Sequence, residues 1–419
     1  MATSKLRQRL SPPTDIEVTA AKLASNGKDT TPDANMGHPS GEAKYGRFRA
    51  MIRAISFCLY FGSGILIIHI SQIIGAPLYI INRELYYAYM SVTKALFGLL
   101  ITTMTQWWAP TVIRVSGDAS VAEQLSLTPD GRIQCAFPER MVLIANHQIY
   151  TDWLYLWWVG YTSTPQMHGH IYIILKESLK WIPVIGPGCM FISFIFMSRK
   201  MAVDRPRLAH RLGKLKTRHT DPDGNSFYDP MWLLLFPEGT NLSANGRKKS
   251  ASWAEKSGLK DTQHMMLPRS TGMYFCLTEL KETVDYVYDC TVAYEGIPRG
   301  KYGEDYFTLS STYFQGRPPK STNLYWRRFA LADIPLETQE DFEKWLRERW
   351  YEKDALMEQY VSTGRFPANG AGDKAHIETE VKTQHWWEFI RIYMMAGTFL
   401  MILNVMLKFV RFVVRVKEL

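Results

Sequence analysis

The chain has 419 residues, with 49 Lys and Arg against 40 Asp and Glu, so it is long enough for a large core and its net charge of +9 favours an anionic partner. Its five cysteines (Cys58, Cys135, Cys189, Cys276, Cys290) show no paired spacing, no C-x-x-C and no adjacent histidine set, which excludes a disulfide framework and a metal site and fits free thiols in a reducing compartment. Long uncharged stretches, with 13 Trp and 22 Tyr, turn the charge argument away from nucleic acid and toward a membrane surface.

Residues 1–43 are rich in Ser, Thr, Pro, Asp, Lys and Gly, cannot bury enough apolar surface to offset ordering entropy, and are expected to be a disordered tail without a secretory signal. Residues 44–113 read as membrane-anchoring helices. No charged residue occurs from Ala54 to Asn82, and a second apolar stretch runs from Leu85 to Ile113, broken only by Lys94 and marked near its end by Trp107 and Trp108. Each stretch is long enough for a hydrocarbon layer of roughly 30 Å. The cluster Lys44, Arg47, Arg49 and Arg53 places the start of the first span on the cytosolic side.

Residues 114–335 alternate apolar strand-like runs with helical or polar segments, the pattern of an α/β layer architecture. Strands are expected at 141–145, 171–175, 194–198, 232–236 and 286–294. The segments Trp153 to Val159 and Trp181 to Phe196 are apolar enough to be either buried core or a face resting on lipid. Within a helical extension at 336–388, Thr338 and Asp341 form a capping-box pattern, and Phe342, Trp345, Leu346 and Trp350 recur on one helical face. In the last segment, 389–419, the uncharged run Ile392–Leu407 covers only about 24 Å, and basic residues follow it. A single crossing would put that basic tail opposite the cytosol, so an interfacial or re-entrant segment is expected over a third span. The fold class is thus α/β, a central mixed sheet with flanking helices, plus N-terminal transmembrane helices and a C-terminal hydrophobic membrane segment.

Three constellations carry chemistry. In Ile144-Ala145-Asn146-His147-Gln148-Ile149-Tyr150-Thr151-Asp152 an apolar strand delivers a histidine and, five residues on, an aspartate. An unbroken helix would set the two about 140° apart, so they meet only if His147 lies in a turn and Asp152 begins the helix. A general base with an orienting carboxylate is one reading and a surface histidine near an unrelated aspartate is the other. Phe236-Pro237-Glu238-Gly239-Thr240 ends a second strand with a carboxylate, a glycine that permits positive φ, and a hydroxyl. A third strand ends on Arg199 and Lys200, of which Arg199 suits bidentate phosphate binding.

Taken in order with Leu267-Pro268-Arg269-Ser270-Thr271-Gly272, these motifs resemble the glycerolipid acyltransferase family of the 1-acylglycerol-3-phosphate acyltransferase type. The run Tyr288 to Tyr294, followed by Ile297-Pro298, is most similar to the lysocardiolipin and lysophosphatidylinositol acyltransferase branch. The likeness covers roughly 50–365. It implies transfer of a fatty acyl group from acyl-CoA, a co-substrate and not a bound cofactor, to a free glycerol hydroxyl of a lysophospholipid. His147 would be the base, Asp152 its orienting partner, and no acyl-enzyme would form. Glu238, Gly239, Thr240 and Arg199 would bind the glycerophosphate, with Lys176, or by residue type equally Lys180, nearby. Asn146 or backbone N–H groups of the turn are the oxyanion candidates. The acyl chain would enter a tunnel built from 153–159 and 181–196. The resemblance further implies an endoplasmic reticulum membrane with the catalytic domain in the cytosol. Where many members carry arginine after Glu-Gly-Thr, this chain has Asn241. That disfavours the dianionic lysophosphatidic acid, the alternative acceptor, and tilts toward a phosphodiester headgroup. A membrane lipase or thioesterase would need a serine nucleophile, and the glycine-flanked Ser63 lies inside the first span. A non-catalytic lipid-binding protein would need no poised base.

Overall fold

The computed structural model describes residues 37–198, 200–221, 223–368 and 376–417. The expected disordered tail lies outside the described residues up to 36. The remainder of that segment is anchored: the His38 ring is 2.9 Å from the Tyr306 carbonyl, and the Ser40 hydroxyl donates to Pro318.

Eight strands form one mixed sheet: β1 (Val112–Gly117), β2 (Arg140–Ala145), β3 (Ile171–Lys176), β4 (Ile195–Met197), β5 (Met231–Leu235), β6 (Tyr286–Tyr294), β7 (Ser321–Ala330) and β8 (Ile377–Glu380), in the order β8-β1-β7-β6-β2-β5-β3-β4. The five strands β6-β2-β5-β3-β4 run parallel, β7 turns antiparallel to β6, and β8 is antiparallel to β1. Parallel strands are covered on both faces, which is why β2 and β5 read as unbroken apolar runs rather than alternating ones.

The period-two alternation sorts those side chains between two cores. Met141, Leu143 and Ala145 face one side with α1 (Arg47–Gly75), α2 (Arg83–Trp108) and α3 (Asp152–Thr162). Val142 and Ile144 face the other, with α5 (Met201–Leu215), α7 (Ser270–Leu280) and α8 (Gln339–Thr363). Two further helices, α4 (Ile185–Phe191) and α6 (Ala244–Lys256), follow β3 and β5, and α9 (Ile390–Lys417) closes the chain. The α8 N-cap is as expected, the Thr338 hydroxyl accepting from the Asp341 N–H at 3.1 Å.

Three stretches, Arg47–Ile81, Arg83–Trp108 and Ile390–Lys408, are long and apolar enough to cross a membrane. The last is one continuous helix and not a re-entrant hairpin, which leaves of the expected forms an interfacial helix beside a third span. It starts beside the α2 C-terminus, where Phe389 meets Trp107 edge to face, and packs along α1, with Tyr393 3.0 Å from Ser63. The two ambiguous aromatic segments resolve differently. Leu154 to Val159 is buried core, whereas Trp181, Ile182, Ile185 and Met190 are exposed next to α1.

Candidate active site

The C-terminal ends of the five parallel strands lie along one edge, where open α/β sheets commonly hold ligands. β2 leads into the turn of His147, β5 into that of Glu238 and β4 into the loop of Ser198, while β6 ends at Tyr294 and β3 at Lys176. At about 4.8 Å per strand, Lys176 is two strands, roughly 10 Å, from the histidine.

The turn after β2 does what the spacing requires. Asp152 opens α3, is fully buried, and accepts from the Gln148 N–H at 2.6 Å, the Ile149 N–H at 3.1 Å and His147 Nδ1 at 2.7 Å through one oxygen. The Tyr294 hydroxyl donates to its other oxygen, and burial raises that phenol well above its ordinary pKa, so it stays a donor. An acceptor-only carboxylate fixes the proton on Nδ1 and leaves Nε2 with its lone pair. The imidazole stacks on Phe236 with centroids 4.4 Å apart, and its side chain is 18% exposed, enough to meet a substrate.

Glu238 clasps three loops. One oxygen accepts the His147 N–H at 2.8 Å and the other the Met266 N–H at 3.0 Å, with the residue 2% exposed. Burial pushes its carboxyl up to about 7, against the opposing pull of the two N–H donors and of His147. Both oxygens are thus engaged by the protein. Asn146 is likewise engaged: its amide donates to the Val292 carbonyl at 2.9 Å and accepts the Val292 N–H at 2.8 Å, tying β2 to β6. The expected oxyanion donors in the turn are therefore already occupied, because the His147, Gln148 and Ile149 N–H groups serve the two carboxylates. Among the described residues, the N–H groups of Thr240 and Asn241 on the neighbouring loop have no acceptor.

Gly239 adopts φ +77°, and the stem of Arg269 covers it at 3.6 Å from where a Cβ would stand. The exposed Arg269 forms no ion pair among the described residues, and it is a site candidate that its motif alone does not reveal. Lys176 and Lys180 are now distinct. Lys180 is held by Glu177 at 2.8 Å, while Lys176 is exposed at its strand end with no carboxylate partner among the described residues. Arg199 lies outside the described residues, but its loop is organised by the buried Asp204, which accepts from the Ser198 and Lys200 N–H groups at 2.9 and 3.1 Å. Asn241 donates to Glu304, whose carboxyl burial raises. Tyr294 is the other residue missed: its strand was read from sequence, but nothing local shows that β6 lies beside β2. No cluster of His, Cys, Asp and Glu among the described residues could hold a metal ion.

An apolar cleft opens between α1, α2 and α4, lined by Ile65, Ile68, Phe97, Val184, Ile185 and Ile192. Phe97 stacks on Trp153, the residue after Asp152, at 6.1 Å.

Comparison with known proteins gives two family matches: one described as Acyltransferase over residues 113–295, and one described as Acyltransferase C-terminus over 312–390. An uncharacterized acyltransferase of Schizosaccharomyces pombe is 37% identical over 358 residues, covering 84% of this chain and 97% of its own. The 2-acyl-1-lysophosphatidylinositol acyltransferase of Saccharomyces cerevisiae is 38% identical, covering 76% of this chain and 86% of its own. Lysocardiolipin acyltransferase 1 of Gallus gallus is 31% identical, covering 54% and 55%. The crystal structure of the 1-acyl-sn-glycerophosphate acyltransferase of Thermotoga maritima covers 74% of this chain and 98% of its own at 14% identity and a TM-score of 0.37, too loose a match to add to the argument.

Proposed function

The chain belongs to the acyltransferase family, and from that membership we propose a membrane-bound enzyme that moves a fatty acyl group from acyl-CoA to a free glycerol hydroxyl of a lysophospholipid. The observation that carries this reading is the His147–Asp152–Tyr294 array, a base whose Nε2 has no hydrogen-bond partner among the described residues. Among the described residues no serine or cysteine hydrogen-bonds to His147, and Ser63 bonds instead to Tyr60 and Tyr393.

In the proposed reaction Nε2 takes the proton of the lysolipid hydroxyl as its oxygen attacks the thioester carbonyl. Asp152 stabilises the imidazolium. The tetrahedral oxyanion is met by the Thr240 and Asn241 N–H groups. Collapse breaks the carbon–sulfur bond, and the thiolate leaves as the imidazolium returns a proton. Arg269 and Lys176 flank this point as unpaired cations for the glycerophosphate, with Arg199 a further cation. The apolar cleft at Phe97, about 30 Å³ as it stands, would widen to admit the acyl chain.

The acceptor favoured is lysophosphatidylinositol, or a lysocardiolipin-type diester. Asn241 supports this, since an uncharged amide, already bonded to Glu304, offers no second positive charge to a phosphate dianion. The name of the Saccharomyces cerevisiae relative points the same way. The enzyme would work at the endoplasmic reticulum membrane with its catalytic edge in the cytosol. Initial rates on lysophosphatidylinositol and lysophosphatidic acid decide the acceptor, and a clear preference for the latter overturns it. Coenzyme A release with and without lysolipid decides the class: release without acceptor means a hydrolase, and none at all a lipid-binding protein. His147→Ala and Asp152→Asn are expected to lower kcat on the order of 10³- to 10⁴-fold while leaving the protein folded in detergent.

A further inference from the structure

The 13-residue helix α6 starts at the active site. Leu242 donates its N–H to the His147 carbonyl at 2.7 Å, and the next residue, Ser243, caps the helix. One side of α6 is tied inward: Ala254 is 1% exposed, and Arg247 pairs with Asp261 at 2.5 Å. The opposite side carries Asn245, Lys248, Lys249, Ser252, Trp253 and Lys256 at spacings of three and four, a single stripe along the helix. All six belong to this one helix and form an open, solvent-facing basic surface with an aromatic ring in it. Among the described residues none of the three lysines forms an ion pair, and Trp253 is 43% exposed with no ring or hydrogen-bond partner. A solvated helix would not need an unsupported indole between lysines.

We propose that this face binds the 3′-phosphorylated ADP end of the acyl-CoA donor, with Trp253 against the adenine ring and Lys248, Lys249 and Lys256 on the phosphates. The proposal rests on the acyl-CoA reading above. Its chemistry is complementary: a phosphomonoester of about −1.5 to −2 charge and a diphosphate face three free ammonium groups, and an aromatic face suits any nucleobase. The placement also fits. At 1.5 Å per residue the lysines lie from about 6 to about 18 Å beyond the helix start at Ala244, a span suited to a pantetheine arm reaching back to the thioester at His147.

The test uses the full chain in nanodiscs with two donors, oleoyl-CoA and oleoyl-4′-phosphopantetheine, which lacks the nucleotide. In the variants Lys248→Ala/Lys249→Ala/Lys256→Ala and Trp253→Ala, KM for oleoyl-CoA is expected to rise on the order of tenfold with kcat unchanged, because remote binding common to ground and transition states is lost. KM for the truncated donor stays as in wild type. An unchanged KM for oleoyl-CoA, or an equal rise for both donors, overturns the proposal. So does a rise seen only on phosphatidylserine nanodiscs and absent on neutral ones, which would mean that the face meets anionic lipid. If wild type releases no coenzyme A in the presence of lysolipid, the functional reading fails. Calorimetric titration with adenosine 3′,5′-bisphosphate still reads the site: binding by wild type and not by the triple variant upholds it, and no binding by wild type overturns it.

Discussion

Asp152 collects four donors on two oxygens, and only one of them is the histidine. Tyr294→Phe removes the donor on Oδ1 and leaves that lone pair buried without a partner, a cost of about 1–3 kcal/mol. The expected outcome is a drop in kcat of roughly tenfold or more with KM for both substrates unchanged, read from steady-state kinetics. Glu238 gives a second prediction, through pH. Its folded carboxyl is raised to about 7 from an ordinary 4.5, so the native state binds the extra proton between these values. The stability it contributes is full below pH 4.5 and is lost as pH rises through 7. The melting-temperature gap between wild type and Glu238→Gln is therefore expected to shrink from pH 4.5 to 7.5. A gap that widens would show Glu238 to be held ionised. At this scale His147 and Asp152 were legible because they lie five positions apart in one chain segment. Tyr294, Arg269 and the Thr240 and Asn241 N–H groups were not, because they reach the site through strand order and loop conformation.

Helix α8 is fastened to the sheet by charges as well as by Phe342, Leu346 and Trp350. Lys353 is fully buried, pairs with Asp289 on β6 and donates to the Cys290 carbonyl at 2.8 Å, while Arg327 on β7 reaches the same aspartate at 2.8 Å. Burial opposes ionisation of Asp289, yet Lys353 and Arg327 together hold its carboxyl below the ordinary value. Removing one partner leaves a buried charge undercompensated, so Lys353→Met is expected to cost about 3–5 kcal/mol in thermal or denaturant unfolding. The apolar stripe and cap of α8 were visible in sequence, but this inward lysine was not: Lys353 reads as a solvent position. The same limit hid three strands. Val112–Gly117 begins inside what reads as the end of the second apolar span. Ser321–Ala330 is buried at positions held by Ser, Thr, Asn and Arg, whose polar groups are largely matched within the fold, so no alternation marks it. Ile377–Glu380 is only four residues long.

The apolar helices α1 and α2 share one core with the sheet. Leu96, Leu99, Leu100 and Met104 of α2 lie in the same core as Met141, Leu143 and Trp157. At Gly98 the approach leaves no room for a methyl group, since a Cβ there would stand 2.5 Å from Trp157 Nε1, which donates to the His168 carbonyl at 3.0 Å. Gly98→Ala is expected to destabilise the whole protein by roughly 1–3 kcal/mol, a single cooperative shift in the melting curve rather than loss of the anchor alone. A sequence reading naturally separates 44–113 from 114–335 where hydropathy changes, and nothing along the chain reveals that α2 also forms a wall of the α/β core. That shared wall bears on how the protein is made. The ribosome releases α1 and α2 first, and the translated β-strands then have no completed apolar face until that hairpin stands beside them. Nascent chains in which α1 and α2 fail to take their place would thus expose the bare side of β2 and β5, a surface for chaperones and proteases to recognise.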